Sequence, residues 1–131
     1  MLDRFLVLVA AVAMIVACDV NITGPRTIPP NGTGVFSGKV YPNGRTRWFV
    51  EVLGPSRVTV RLDRVDPPVK VGLLFGALDG TECVATEEVE TTVGAEAIEA
   101  DVAPGQKCIE VFDLGAAPLS GVSVSLTLRA L

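Results

Sequence analysis

Short runs in which apolar and polar residues alternate dominate this chain from residue 34 onward. In residues 58–63, the apolar Val58, Val60 and Leu62 alternate with polar residues, and the runs 98–102 and 122–129 repeat the pattern. A period of two places every apolar side chain on one face of a strand, whereas an amphipathic helix has a period near 3.6. The pattern therefore predicts β-strands that each bury one face.

Segments rich in Pro, Gly, Asn and Asp separate these runs, and such residues favour tight turns. We expect about eight strands, near residues 34–41, 46–53, 57–63, 69–77, 82–91, 96–102, 107–113 and 121–129. Residues 48–53 and 69–75 are more continuously apolar, as strands covered on both faces are. Strands this short and this closely spaced predict an all-β fold, a two-sheet antiparallel sandwich of jelly-roll-like form.

The N-terminus has the order of an export signal. Residues 1–4 carry one Arg, thirteen apolar residues follow from Phe5 to Ala17, and Cys18 comes next. A membrane-spanning helix needs about 20 apolar residues, so this run is too short to span. A small residue followed by Cys resembles the lipobox of bacterial lipoproteins, in which the cysteine is acylated and becomes the new N-terminus.

This resemblance implies a lipid anchor on Cys18, with palmitate-type acyl chains holding the protein to the membrane. The location would be the bacterial cell envelope, facing the periplasm or the cell exterior. An ordinary cleaved signal with an incidental cysteine is the alternative, because Asp3 weakens the basic segment and Ile15 stands where lipoboxes usually carry Leu. We divide the chain into a helical signal peptide (1–17), a flexible tether (18–33) and a β-sandwich domain (34–131).

Three cysteines occur in the chain, and assigning Cys18 to the anchor leaves Cys83 and Cys108. An even pair in an exported protein predicts a disulfide. A redox or metal site is the alternative. The chain contains neither a Cys-x-x-Cys motif nor a histidine, so we expect no metal and no cofactor.

Charge is distributed unevenly although the net charge is only −4. Residues 39–70 hold seven basic and three acidic side chains, whereas residues 79–113 hold ten acidic side chains and one Lys. Opposite charges in an antiparallel sandwich commonly face each other across strands, and we prefer this interpretation to a basic surface for phosphate or lipid headgroups. Nucleic acid is not expected as a partner, because the protein is acidic and exported.

Beyond its alternation, the domain resembles the bacterial pre-peptidase C-terminal domain. The resemblance rests on pattern order: the run 48–52, a Gly-Pro-Ser turn, the run 58–62, an apolar strand, the segment 104–111 and a closing strand at 122–128. It implies a jelly-roll-like sandwich without catalytic activity. Calcium binding is not carried over, because two prolines and Lys70 stand where relatives carry acidic residues.

Most catalytic sites need residue types that this chain lacks, histidine above all. We therefore expect no catalytic residues and a binding or structural module, with protein or carbohydrate as candidate ligands. The enzymatic alternative is a small hydrolase that uses the carboxylates Glu87, Glu88 and Glu90, or calcium held by residues 79–82. We expect Trp48 to pack in the core and Tyr41 to lie near the surface.

Overall fold

The computed structural model of this chain describes residues 26–94 and 96–131. This part of the chain is all-β, as predicted, and every one of the eight predicted strands is present to within three residues at each end. Nine strands occur in the described residues: β1 (Arg26–Ile28), β2 (Thr33–Val40), β3 (Arg45–Val52), β4 (Ser56–Asp66), β5 (Val71–Asp79), β6 (Glu82–Thr91), β7 (Glu96–Val102), β8 (Gly105–Phe112) and β9 (Val122–Ala130).

The strands form two sheets that face each other, so the predicted sandwich is confirmed. The five-stranded sheet has the order β1-β3-β8-β5-β6, and the four-stranded sheet has the order β2-β9-β4-β7. Neighbouring strands are antiparallel except β1, which runs parallel to β3. Bulges interrupt the register of β4 and of the β5–β6 pair.

Strand β1 corrects the tether predicted for residues 18–33. Arg26 lies opposite Val50, Ile28 lies opposite Val52, and the Ile28 side chain is buried in the core. The Pro-rich surroundings hid this strand, because three residues are too few to show a period. Residues 26–33 therefore belong to the folded domain, while residues 18–25 and Cys18 lie outside the described residues.

The core lies between the sheets and contains the apolar side chains that the alternation predicted. Val58, Val60 and Leu62 of β4 are fully buried, and five apolar residues of β9 pack beside them. From the other sheet, Phe75 of β5 is fully buried in the same core. Each such side chain contributes about 1.5 to 3 kcal/mol of hydrophobic stabilisation.

Several ion pairs join the basic and acidic parts of the sequence across neighbouring strands. Arg57 on β4 donates to Glu99 at 2.7 Å and to Asp101 at 3.2 Å on β7. The hydrogen bond to Glu99 is the largest cause that raises the pKa of Arg57. The cross-strand interpretation of the charge asymmetry is confirmed for these residues.

The two ends of the sandwich differ in the loops that they carry. The upper end is defined by the loops 41–44, 67–70 and 113–121, and the lower end by the loops 29–32, 53–55 and 80–81. Strands β1 and β3 both run from the upper end toward the lower end.

Within residues 26–94 and 96–131, the structure contains no helical segment with the length and hydrophobicity of a membrane span.

Candidate functional site

The β5–β6 hairpin folds over the outer face of the five-stranded sheet. Strand β5 lies between β6 and β8, so two strands in the plane of a sheet would be about 10 Å apart. The Cα atoms of Cys83 on β6 and Cys108 on β8 are nevertheless only 5.8 Å apart. The first part of β6 therefore lies above the sheet, and the bulge between Phe75 and Gly76 provides the bend.

Gly76 is the residue that permits this close approach. A Cβ atom built on Gly76 would lie 2.1 Å from the carbonyl oxygen of Val84, which is far inside van der Waals contact. A residue with a side chain would push β6 away from the sheet. Glycine is thus required here because the backbone of one strand rests on the backbone of another.

A disulfide between Cys83 and Cys108 ties the overhanging hairpin to the sheet. This confirms the pairing predicted from the even number of remaining cysteines. Cys108 is fully buried and lies opposite Phe49 on β3, so the bridge adjoins the space beneath the hairpin. The disulfide joins the edge strand β6 to β8, which is two strands away in the sheet order.

A second tie joins the hairpin tip to β3. Arg47 donates from Nη1 to the carbonyl oxygen of Thr81 at 2.9 Å. The same guanidinium contacts Glu110 on β8, with Nε at 2.7 Å and Nη2 at 2.6 Å from Oε2. Arg45 donates to the other oxygen, Oε1, at 2.7 Å. We call Arg45, Arg47, Glu110 and Thr81 the arginine clasp.

Glu110 is the buried member of the clasp, with 1% of its side chain exposed. A buried carboxylate is costly unless it is paired and hydrogen-bonded, and here both oxygens accept charge-assisted hydrogen bonds. Arg47 is 30% exposed and Arg45 is 61% exposed, so Arg47 offsets most of the cost of burying the Glu110 carboxylate. The clasp orients Arg47 so that it can hold the hairpin tip.

A cleft of about 260 Å³ lies between the hairpin and the sheet. Its lining is mainly apolar and is open to solvent on one side, with two polar side chains at the rim. The residues are Phe49 and Val50 of β3, Leu78 of β5, Gly80 and Thr81 of the hairpin turn, and Gln106 of β8. Phe49 is 42% exposed, a large fraction for an aromatic ring on a strand. The cleft can accept a single large apolar side chain or a group of similar size.

The carboxylates of the enzymatic alternative lie on β6. Glu88 is opposite Leu74 and Glu90 is opposite Gly72, whereas Glu87 is opposite Phe75 at the bulge. None of the three forms an ion pair with a cation among residues 26–94 and 96–131. They lie along the strand and do not face each other across the cleft.

The turn proposed for calcium in the same alternative has another role. The carbonyl oxygen of Thr81 accepts a hydrogen bond from Arg47, which places a cation beside this turn. In the described part of the chain, no three side chains of the His, Cys, Asp or Glu type come together to hold a metal ion.

The aromatic residues do not form a flat platform for a sugar ring. Trp48 is half-buried and packs against Phe36 with ring centroids 6.1 Å apart, so it lies at the edge of the core as predicted. Tyr41 is 53% exposed, also as predicted, but it lies in the upper loops, away from the cleft. Phe49 is the aromatic ring at the cleft, and sequence reasoning did not select it.

Comparison with known proteins gives a fold and no family. No known family description and no curated protein matches this sequence. The crystal structure of Aeromonas hydrophila PliG, a periplasmic lysozyme inhibitor of g-type lysozyme, is similar with a TM-score of 0.56 and 16% identity, covering 81% of this chain and 96% of that one. At this identity the likeness shows the sandwich fold alone.

The pre-peptidase C-terminal domain of collagenase from Bacillus anthracis is a second neighbour among solved structures. Its TM-score is 0.49 and its identity is 10%, with 82% of this chain and 95% of that one covered. Membership of the pre-peptidase C-terminal family stays a prediction.

Proposed function

We propose that this protein is a lipid-anchored, non-catalytic binding module of the bacterial cell envelope, and that it binds a protein partner through the cleft beneath the β5–β6 hairpin. The observation that carries the proposal is the double fixation of this hairpin by the disulfide and by the arginine clasp. A hairpin fixed at both positions keeps an apolar cleft open in a protein of modest size. Preformed apolar pockets with few polar groups are typical of binding sites.

The chemistry of the cleft favours a protein over a carbohydrate. Phe49 and Leu78 form apolar walls, and Thr81 and Gln106 supply a small polar rim. An apolar side chain that enters such a cleft loses much of its contact with water, which is how anchor residues contribute at protein interfaces. A sugar would need an exposed ring platform and several polar partners around it.

The structural neighbour supports the same class of partner. PliG is named as an inhibitor of g-type lysozyme, so a sandwich of this architecture serves in a periplasmic protein that acts on another protein. Its periplasmic location agrees with the export signal of residues 1–17. A lysozyme of the g-type is therefore the first purified protein that should be tested for binding to this chain.

Site-specific photo-crosslinking in living cells tests the cleft. A benzophenone amino acid placed at Phe49 should capture a protein, because this side chain is exposed at the cleft. The matched control is Val35, which is 53% exposed on the outward side of β2 in the other sheet. Adducts at both positions, or at neither, would contradict the proposal.

The anchor has a separate test. Replacement of Cys18 by Ser should remove labelling by radioactive palmitate and release the protein from the membrane fraction, because two or more acyl chains hold a protein firmly. A wild-type protein found in the membrane fraction without lipid label would refute the anchor.

The hydrolase alternative predicts a different sensitivity. A triple variant with Glu87, Glu88 and Glu90 changed to Gln should keep the cellular role under our proposal, since these side chains lie on β6 outside the cleft lining. Loss of that role with an intact disulfide and an unchanged unfolding midpoint would favour the hydrolase.

A further inference from the structure

Three exposed apolar side chains lie together at the upper end of the sandwich. Leu119 is 91% exposed, Tyr41 is 53% exposed and Leu114 is 39% exposed. They come from the loops 41–44 and 113–121, which are joined by hydrogen bonds. We call Tyr41, Leu114 and Leu119 the apolar tip. A fully exposed leucine is unfavourable in water, so a tip of this kind indicates a surface that is covered in use.

Hydrogen bonds hold the loops of the tip in one conformation. The Asp113 carboxylate accepts from the backbone N–H of Asn43 at 2.9 Å, of Gly115 at 2.9 Å and of Ala117 at 3.0 Å. The bond from Asn43 is the largest cause that lowers the pKa of Asp113, so this carboxylate is ionised and directed at the backbone. The turn 118–121 then places Leu119 at its corner, with Gly121 donating to Pro118.

Cations flank the tip. Lys39 lies beside Tyr41, with Nζ 6.0 Å from the ring centroid. Lys70 is exposed in the loop before β5 at the same end. Leucine and tyrosine between lysine residues suit the boundary between anionic lipid headgroups and acyl chains.

The first described residue, Arg26, lies within reach of this end. Strand β1 runs from the upper toward the lower end, parallel to β3. Seven residues lie between Cys18 and Arg26, and the eight residue steps that join them span at most about 28 Å when extended. Arg26 lies opposite Val50, five residues along β3 from Arg45, or about 17 Å from the upper end. The upper end can therefore touch a bilayer to which Cys18 is attached.

We propose that the apolar tip docks onto the surface of the bilayer that holds the lipid anchor, with Leu119 and Tyr41 among the headgroups and Lys39 and Lys70 facing anionic lipids. This docking rests on the anchoring part of the proposed function. It fixes the orientation of the domain, with the upper end toward the membrane and the hairpin turn at the lower end toward solvent.

Fluorescence quenching in vesicles tests this orientation on the full lipoprotein. The protein, purified from membranes, is reconstituted in vesicles of phosphatidylcholine and phosphatidylglycerol in equal parts that contain lipids with a doxyl group near the headgroup. The variant Leu119→Trp adds an indole at the tip. The matched control Leu53→Trp adds one at a side chain that is 51% exposed at the lower end. The wild-type signal of Trp48 is subtracted from both.

Quenching of the added indole should be at least about twice as strong in Leu119→Trp as in Leu53→Trp, and it should weaken in vesicles of phosphatidylcholine alone because the cations lose their anionic partners. Equal quenching in the two variants, or quenching in neither, overturns the docking. The docking is also overturned if a photo-crosslinking amino acid at position 119 captures a protein in cells, because the tip would then be covered by that protein. Palmitate labelling of the same preparation tests the anchor, so a labelled protein with an unquenched tip refutes the docking alone.

Discussion

Removal of the Cys83–Cys108 disulfide should lower the free energy of unfolding by about 3.5 kcal/mol. The two cysteines are 25 residues apart, and the bridge restricts the unfolded chain over that length. The chain-entropy relation for a closed loop of this size gives the stated value near 25 °C. In a domain of about a hundred residues, this loss corresponds to a fall in Tm of about 10 to 20 °C.

The assay is equilibrium unfolding in urea, followed by the fluorescence of Trp48, the single tryptophan of the chain. The double variant Cys83→Ala/Cys108→Ala and the reduced wild type are compared with the oxidised wild type. Alanine is preferred to serine because Cys108 is fully buried and a hydroxyl there would need a partner. The matched control is Cys18→Ser, which removes a cysteine outside the domain.

The reasoning fails if the reduced and oxidised wild-type proteins unfold at the same urea concentration while chemical analysis shows the bridge present in only one. It also fails if Cys18→Ser shifts the midpoint as much as the double variant does. A loss much larger than predicted would instead mean that the overhang of β6 unfolds together with the bridge.

The other tests address the clasp, the glycine beneath the hairpin and the tip. Glu110→Gln should lower the free energy of unfolding, measured in urea, by about 2 to 3 kcal/mol, because a buried acceptor of charge-assisted hydrogen bonds becomes neutral and Arg47 loses its orientation. A change below about 0.5 kcal/mol would contradict this role. Gly76→Ala should lower the yield of disulfide-bonded protein, since its Cβ would lie 2.1 Å from the carbonyl oxygen of Val84; normal yield and stability would show that β6 can shift. The lowered pKa of Asp113 means that its contribution to stability is complete above the ordinary value of 3.8 and is lost as the pH falls through the lower folded-state pKa. Asp113→Asn should remove this acid sensitivity, which is measured by backbone hydrogen exchange in loop 113–121. A pH profile of exchange that is the same in the variant and the wild type would refute this role.

The sandwich could be predicted because its core follows the period of two. The buried residues of β4 and β9 alternate with polar ones, so each strand shows its inner face in the sequence. Strand β1 could not be found in this way, since it has three residues and a single buried side chain. Its pairing with β3 is a contact between distant segments, and no local pattern reports such a contact.

The candidate site was harder to predict than the fold, although one signal was present. Residues 71–76 of β5 are all buried, and this continuous apolar run predicted a strand covered on both faces. The structure shows that the core covers one face and that the overhanging β6 lies over the other at Gly76. Arg47 and Glu110, two partners in the arginine clasp, lie more than sixty positions apart in the sequence. Such pairs depend on strand order, which the sequence pattern leaves open.

The two proposed surfaces lie far enough apart to be used at the same time. Phe49 at the cleft is four residues along β3 from Arg45, which corresponds to about 14 Å, and the loops of the apolar tip extend beyond Arg45 in the opposite direction. A tip that rests on the bilayer would therefore leave the cleft above the headgroups and open to a water-soluble partner. The seven residues between Cys18 and Arg26 are compatible with this arrangement, because their extended length of about 28 Å exceeds the distance of about 17 Å between Arg26 and the upper end.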